Sequence, residues 1–129
     1  MAKNVNVEFK VDCSHLSPYE LDYLESRLPS EVKLSKHVHE QLQNRHINVN
    51  PRIFRDKLRA RNVVELQVKK DKTVVALVRA RLNKKKDICY PVAVERGIVC
   101  TCYLNNHDDT HATKDVELYR QIPLETVLH

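Results

Sequence analysis

The chain has one glycine in 129 residues and no tryptophan. So little glycine rules out a glycine-rich phosphate cradle, and there is no Walker loop, no G-x-G-x-x-G and no G-x-S-x-G elbow. Long apolar runs are also missing. None approaches the roughly 18 residues of a membrane-spanning helix, and the opening Met1-Ala2-Lys3-Asn4 lacks the apolar segment of a secretory signal. These absences predict a cytoplasmic protein with no membrane partner. The four cysteines (Cys13, Cys89, Cys100, Cys102) then read as reduced thiols. Cys100 and Cys102 share one face of a predicted strand, but no C-x-x-C pair supplies the remaining ligands of a zinc cage. No metal site and no cofactor is expected.

What is present is 42% hydrophobic and 30% charged, the composition of a soluble domain with its own core. One domain over residues 1–129 is expected. The net charge is +5 and the cations are unevenly placed. Arg52, Arg55, Lys57, Arg59 and Arg61 form one group; Arg79, Arg81, Lys84, Lys85 and Lys86 form another. Acidic residues gather in the first third and between His107 and Glu125. This asymmetry suits an anionic partner, nucleic acid first, against the alternative of a uniformly solvated basic surface.

Periodicity divides the chain. Residues 5–11 alternate apolar and polar, as a half-buried strand does. Ser17-Pro18-Tyr19-Glu20 has the form of a capping box with proline at the first helical position, opening a helix to about Arg27. A second helix is predicted from Ser35 to Arg45, and Asn50-Pro51 opens a third to about Ala60. Beyond Arg61 the period falls to two. Val63–Lys69, Thr73–Leu82, Ile88–Val94 and Ile98–Leu104 read as four strands of an antiparallel meander, with Gly97 at its last turn. Asp115–Gln121 reads as a final short helix or strand. The expected class is α+β: N-terminal helices packed on one face of a four-stranded antiparallel sheet.

Several residues stand out chemically. On the second helix, His37, Gln41 and Arg45 form one stripe beside the apolar Leu34, Val38 and Leu42. An imidazole next to a permanent cation suits proton transfer beside a phosphate. A structural or merely exposed histidine is the alternative. In the second strand of the meander, alternation puts Arg79 and Arg81 opposite Val78 and Ala80, as a phosphate clamp on a rigid element or as partners for Glu65 or Glu95. Tyr103, depending on register, would flank them as a stacking platform or proton donor, or else be a core tyrosine. The loop from Asn105 to His111 carries Asp and His residues that could orient an imidazole, hold a divalent ion or simply cap. His111 is its best candidate for acid/base work.

Ser35-Lys36-His37 followed by Arg45-His46-Ile47 resembles the Ser-x-His…Arg-x-Ile helix motif of small bacterial and phage proteins, and also that of the RegB-like phage endoribonucleases. Both resemblances imply the barnase–EndoU–colicin–RelE type of ribonuclease fold, with residues 34–120 as its core and 1–33 as an added strand and helix. They imply metal-independent RNA cleavage through a 2′,3′-cyclic phosphate by an endoribonuclease or ribonuclease-fold toxin. His37 carries over as the motif histidine and Arg45 as its basic partner. Arg79, Arg81 and Tyr103 match the strand residues of RelE-like toxins in type and location. Where RegB-like enzymes have a second histidine on the next helix, this chain has Lys57 and Arg59.

The expected activity is thus RNA cleavage, with His37 as base or as the group that orients the 2′-hydroxyl, Arg79 and Arg81 stabilising phosphate charge, and Tyr103 or His111 as acid. Arg45, Arg55, Lys57, Arg59, Arg61, Lys84, Lys85 and Lys86 would hold the RNA backbone. The partners expected are RNA and a cognate antitoxin or host protein. Two alternatives compete. One is a non-catalytic phage or bacterial protein of the same fold that inhibits a host protein or binds nucleic acid; the other is a DNA binder using the Asn50–Arg61 segment.

Overall fold

The first helix starts where its cap residues dictate. In a computed structural model that describes residues 6–109 and 116–128, α1 spans Pro18–Arg27. The Ser17 hydroxyl accepts from the Glu20 amide, and the Glu20 carboxylate accepts from the Ser17 amide. Leu24 is its fully buried anchor. Two further helices follow, α2 at Lys36–Asn44 and α3 at Ile53–Asp56. The third is far shorter than the spacing predicts. The chain leaves it after Asp56 and makes a separate 3-10 turn at Ala60–Asn62, with Asn62 Nδ2 donating to the Lys57 carbonyl at 2.9 Å.

The sheet corrects the expected four-stranded plan. Among the described residues it has seven strands: β1 (Val7–Asp12), β2 (Lys33–Leu34), β3 (Val63–Lys69), β4 (Val74–Arg81), β5 (Lys86–Ala93), β6 (Ile98–Val99) and β7 (Tyr103–Asn106). The order is β1-β3-β4-β5-β6-β2, with β7 also on β5. The pairs are antiparallel except β2 with β6, which is parallel. β1 precedes the helices and adds to the sheet against β3, so the fold is not helices first and a four-stranded sheet after. The predicted last strand, Ile98–Leu104, is broken in two, because α2 takes up the backbone groups of its middle. Gln41 Oε1 accepts from the Cys102 amide and the Thr101 hydroxyl, both at 3.1 Å, and Arg45 Nη1 donates to the Cys102 carbonyl at 3.2 Å.

Alternation separates the sheet's two faces. One buries Leu66, Ala76, Val78, Ala80, Ile88, Tyr90 and Val92 against Leu24 of α1, Val38 and Leu42 of α2, and Phe54 of α3. Phe54 meets Tyr90 edge-on at 4.9 Å between ring centroids, and the Tyr90 hydroxyl donates to the Phe54 carbonyl at 2.7 Å. The other face carries Lys10, Glu65, Gln67, Arg79, Arg81, Asp87, Cys89 and Tyr103, as the cross-strand register requires. The C-terminal segment crosses the β1 edge. Tyr119 bridges Lys10 in parallel, and Leu124, Val127 and Leu128 return to the core. No helix among the described residues is long and apolar enough to cross a membrane.

Candidate active site

The face of the sheet away from the helices gathers a cluster of ionisable side chains. Register explains it. Arg79 stands opposite Cys89, which stands opposite Tyr103; Arg81 stands opposite Asp87, which stands opposite Asn105. Asp87 is the hub. Its Oδ2 accepts from Arg79 Nε at 2.9 Å, and its Oδ1 lies 2.9 Å from His107 Nδ1 and 3.8 Å from Arg81 Nε. The His107 ring is also met by Arg81, whose Nε is 2.9 Å from Nδ1 and whose second amino group reaches Nε2. With its hydrogen on Nδ1 toward the carboxylate, the ring leaves Nε2 as the acceptor facing the second Arg81 amino group; with the hydrogen on Nε2, Nδ1 accepts from Arg81 Nε.

The two arginines are not equivalent. Arg79 is nearly buried and its donors are committed: beyond Asp87, it donates to the carbonyls of Asn106 at 3.1 Å and Asp109 at 2.5 Å. It ties the loop after β7 onto the sheet, and so it positions His107. Arg81 is half exposed, with 50% of its side chain accessible, and its partner is an imidazole that an anion can displace. A phosphate would therefore meet one available guanidinium, not a pair.

Burial pushes the Asp87 carboxyl up. Hydrogen bonds from His107 and Arg79, together with their charges, outweigh it and hold the group below its ordinary 3.8. A carboxyl with a folded pKa below its unfolded one stabilises the fold above the unfolded value, and that contribution is lost as pH falls through the folded one. Acid unfolding should accordingly steepen below about pH 4, and Asp87→Asn should flatten that limb. Chemical denaturation of both proteins between neutral pH and about pH 3 checks this; parallel pH profiles would refute it.

Tyr103 lies on the same face, with its hydroxyl raised in pKa by burial and then by the neighbouring Cys89 and Glu65. It stays protonated at neutral pH and has a proton to give. Cys89 beside it is pushed up to about 11 by burial, against the opposing charge of Arg79, so it is a neutral thiol and not a nucleophile. Lys86 Nζ donates to Asn106 Oδ1 at 2.6 Å, while Lys84 and Lys85 stand exposed on the β4–β5 hairpin.

His37 is exposed on α2, and α2 packs on the opposite face from Arg79, Arg81 and Tyr103. Its stripe partners Gln41 and Arg45 are engaged with Thr101 and Cys102. The structure therefore separates His37 from the strand arginines that were expected to work with it. Arg55 and Arg61 are exposed, Lys57 is half-buried, and Arg59 pairs with Glu25 at 3.6 Å on the surface. His111 lies outside the described residues.

No family model, no curated protein and no solved structure matches this chain.

The histidine that does meet a carboxylate and a guanidinium is His107, which the sequence placed in a polar loop. Its signal was the same loop's Asn105–His111 composition, combined with Asp87 directly across the β4–β5 hairpin from Arg81. Among the described residues, no group of three or more His, Cys, Asp and Glu side chains is arranged to hold a metal ion.

Proposed function

We propose that the protein is a small metal-independent endoribonuclease whose centre is His107, with Asp87, Arg81 and Tyr103. One observation carries the reading: an exposed imidazole is held between a buried carboxylate and an available guanidinium. An incoming phosphodiester takes the donors of Arg81, which frees His107 Nε2. Nε2 then removes the proton of the 2′-hydroxyl, O2′ bonds to phosphorus and the P–O5′ bond breaks. Tyr103 gives its proton to the departing O5′. The products are a 2′,3′-cyclic phosphate and a 5′-hydroxyl end, and the proton on His107 returns to Tyr103 through solvent. Arg81 carries the charge that builds on the phosphoryl oxygens. The anchor points suit this division. Asp87 and Cys89, which face Asn105 and Tyr103 respectively, are two residues apart on β5, or about 7 Å, so base and acid can flank one phosphate.

This centre replaces His37 with His107 in the role of base, while keeping the chemistry that the helix motif implies. The free thiols of all four cysteines and the basic surface fit a cytoplasmic protein acting on RNA; an antitoxin or host protein as a second partner fits the toxin-like resemblance. The test is labelled RNA incubated in EDTA. Wild type should cut it, His107→Ala should lose about 100-fold in rate, and His37→Ala should retain most activity. Loss with His37→Ala and not with His107→Ala would reject this centre. Binding of RNA without cleavage by the wild type would favour a non-catalytic binding protein.

A further inference from the structure

Members of the two basic groups, Arg52 and Lys57 of one and Arg81, Lys84 and Lys85 of the other, meet at one end of the sheet. Leu82 follows Arg81 directly, so their Cα atoms are about 3.8 Å apart while their side chains point to opposite faces. On the helix side, Leu82 helps line a cleft of about 650 Å³ with Val49, Ile53, Arg52, Lys57 and Asp56. On the open side stands Arg81 with His107. Between them, at the tip of the β4–β5 hairpin, are the exposed Lys84 and Lys85. Arg52 and Lys57 in the cleft outnumber the one carboxylate there, Asp56, and Asp87 on the other side is already paired with Arg79.

We propose that a single strand of RNA crosses this end of the sheet, from the Arg81–His107 centre, over Lys84 and Lys85, into the cleft of Arg52 and Lys57. This rests on the reading of that centre as an RNA site and names its substrate class. Phosphates follow the cations, and Val49, Ile53 and Leu82 offer an apolar wall to an unstacked base. A duplex does not fit the path. A double helix is stiff, that of DNA over roughly 150 base pairs, so it cannot turn from one face of a sheet to the other within the width of one hairpin. A single strand can, and positively charged grooves with apolar platforms are how single strands are held.

The experiment uses a fully 2′-O-methylated RNA strand, which lacks the hydroxyl that cleavage needs, and the same sequence as a duplex. Anisotropy titrations over a range of salt give Kd and the slope of log Kd against log salt. Arg52→Ala/Lys57→Ala should weaken strand binding several-fold and reduce the slope by about 0.7 for each phosphate that is no longer neutralised. Lys84→Ala/Lys85→Ala should do the same, and the duplex should bind more weakly than the strand. Arg52, Lys84 and Lys85 are exposed and Lys57 is half-buried, and circular dichroism checks that the variants stay folded. An unchanged Kd and slope for the cleft variant overturns the path, as does a duplex that binds as tightly as the strand, or competition by polyglutamate as strong as by RNA. Cleavage of unmodified RNA is scored separately. Binding along the path with no cleavage overturns the catalytic reading alone; cleavage that is indifferent to the cleft overturns the path alone.

Discussion

Gly97→Ala should lower the stability of the protein by about 2–5 kcal/mol, a large share of what a domain of this size possesses. Two costs combine. Gly97 has a φ of +68°, a left-handed conformation that costs a residue with a side chain about 1–2 kcal/mol. An added Cβ would also stand 2.2 Å from the Glu31 carbonyl oxygen and 3.2 Å from Pro29 Cβ. The nearer atom is backbone and cannot swing aside, so the 29–31 segment has to move, an overpacking cost of about 1–3 kcal/mol. That segment leads into β2, and the Lys33 amide donates to the Gly97 carbonyl at 2.8 Å. The damage therefore reaches the parallel β2–β6 pair. Thermal unfolding should show a midpoint lower by roughly 10 °C or more. Gly97→Asn separates the two costs, since asparagine tolerates positive φ but brings the same Cβ. If the asparagine variant is close to wild type, the close approach to Glu31 is not what matters; if alanine too leaves the midpoint unmoved, both arguments fail.

Glu65→Ala is the second large effect, at about 3–5 kcal/mol. Lys10 and Glu65 are 4% and 2% exposed, with Lys10 Nζ 3.6 Å from Glu65 Oε2. The Glu65 carboxylate also accepts from Gln67 Nε2 at 2.7 Å and from the Tyr119 hydroxyl, and the Lys10 ammonium lies 5.6 Å from the centre of the Tyr119 ring. Truncating the acid leaves a buried ammonium without this carboxylate and removes the acceptor of two donors. The loss is one of an uncompensated partner more than of a favourable pair. Lys10→Met combined with Glu65→Leu should therefore cost much less than Glu65→Ala alone. Urea midpoints of the single and double variants give the comparison. Equal losses in both would show that the pair itself supplies the stability. Tyr119 gives a local readout as well: amide exchange at 117–121 should accelerate in Glu65→Ala beyond the change in global stability.

These two sites also mark where sequence reasoning succeeds and where it stops. Ser17, Pro18 and Glu20 located α1 because capping is local chemistry, complete within four residues. The alternation of β3, β4 and β5 was legible for the same reason, and it placed Arg79 and Arg81 on the face away from Val78 and Ala80. β2 was not legible. It has two residues, no period of its own, and a parallel partner far along the chain. The break between β6 and β7 was hidden too, since it depends on Gln41 and Arg45 of a distant helix bonding the backbone at Cys102. His37 and Gln41 of the motif stripe lie on α2 and Arg45 is its C-cap, while Leu34 of the neighbouring apolar stripe falls in β2, and Gln41 and Arg45 hold a chain segment in place. Arg79 shows the limit most clearly. As a strand residue it read as half of a phosphate clamp or as a partner for Glu65 or Glu95, and only the fold brings Asp87, Asn106 and Asp109 to it.

The bridge between Lys10 and Tyr119 has a consequence for how the protein is made. Tyr119 follows Lys10 by 109 positions in the order of synthesis, and until it leaves the ribosome the β1 edge and the Lys10–Glu65 pair face water. The early strand can pair with β3 before then, but its buried charges are closed over only by a segment near the C-terminal end of the described chain. Contacts of such wide separation slow folding, because the intervening loop loses its freedom before the contact forms. The nascent chain therefore carries an open, charged sheet edge until Tyr119, and the core residues Leu124, Val127 and Leu128 that follow it, have been made.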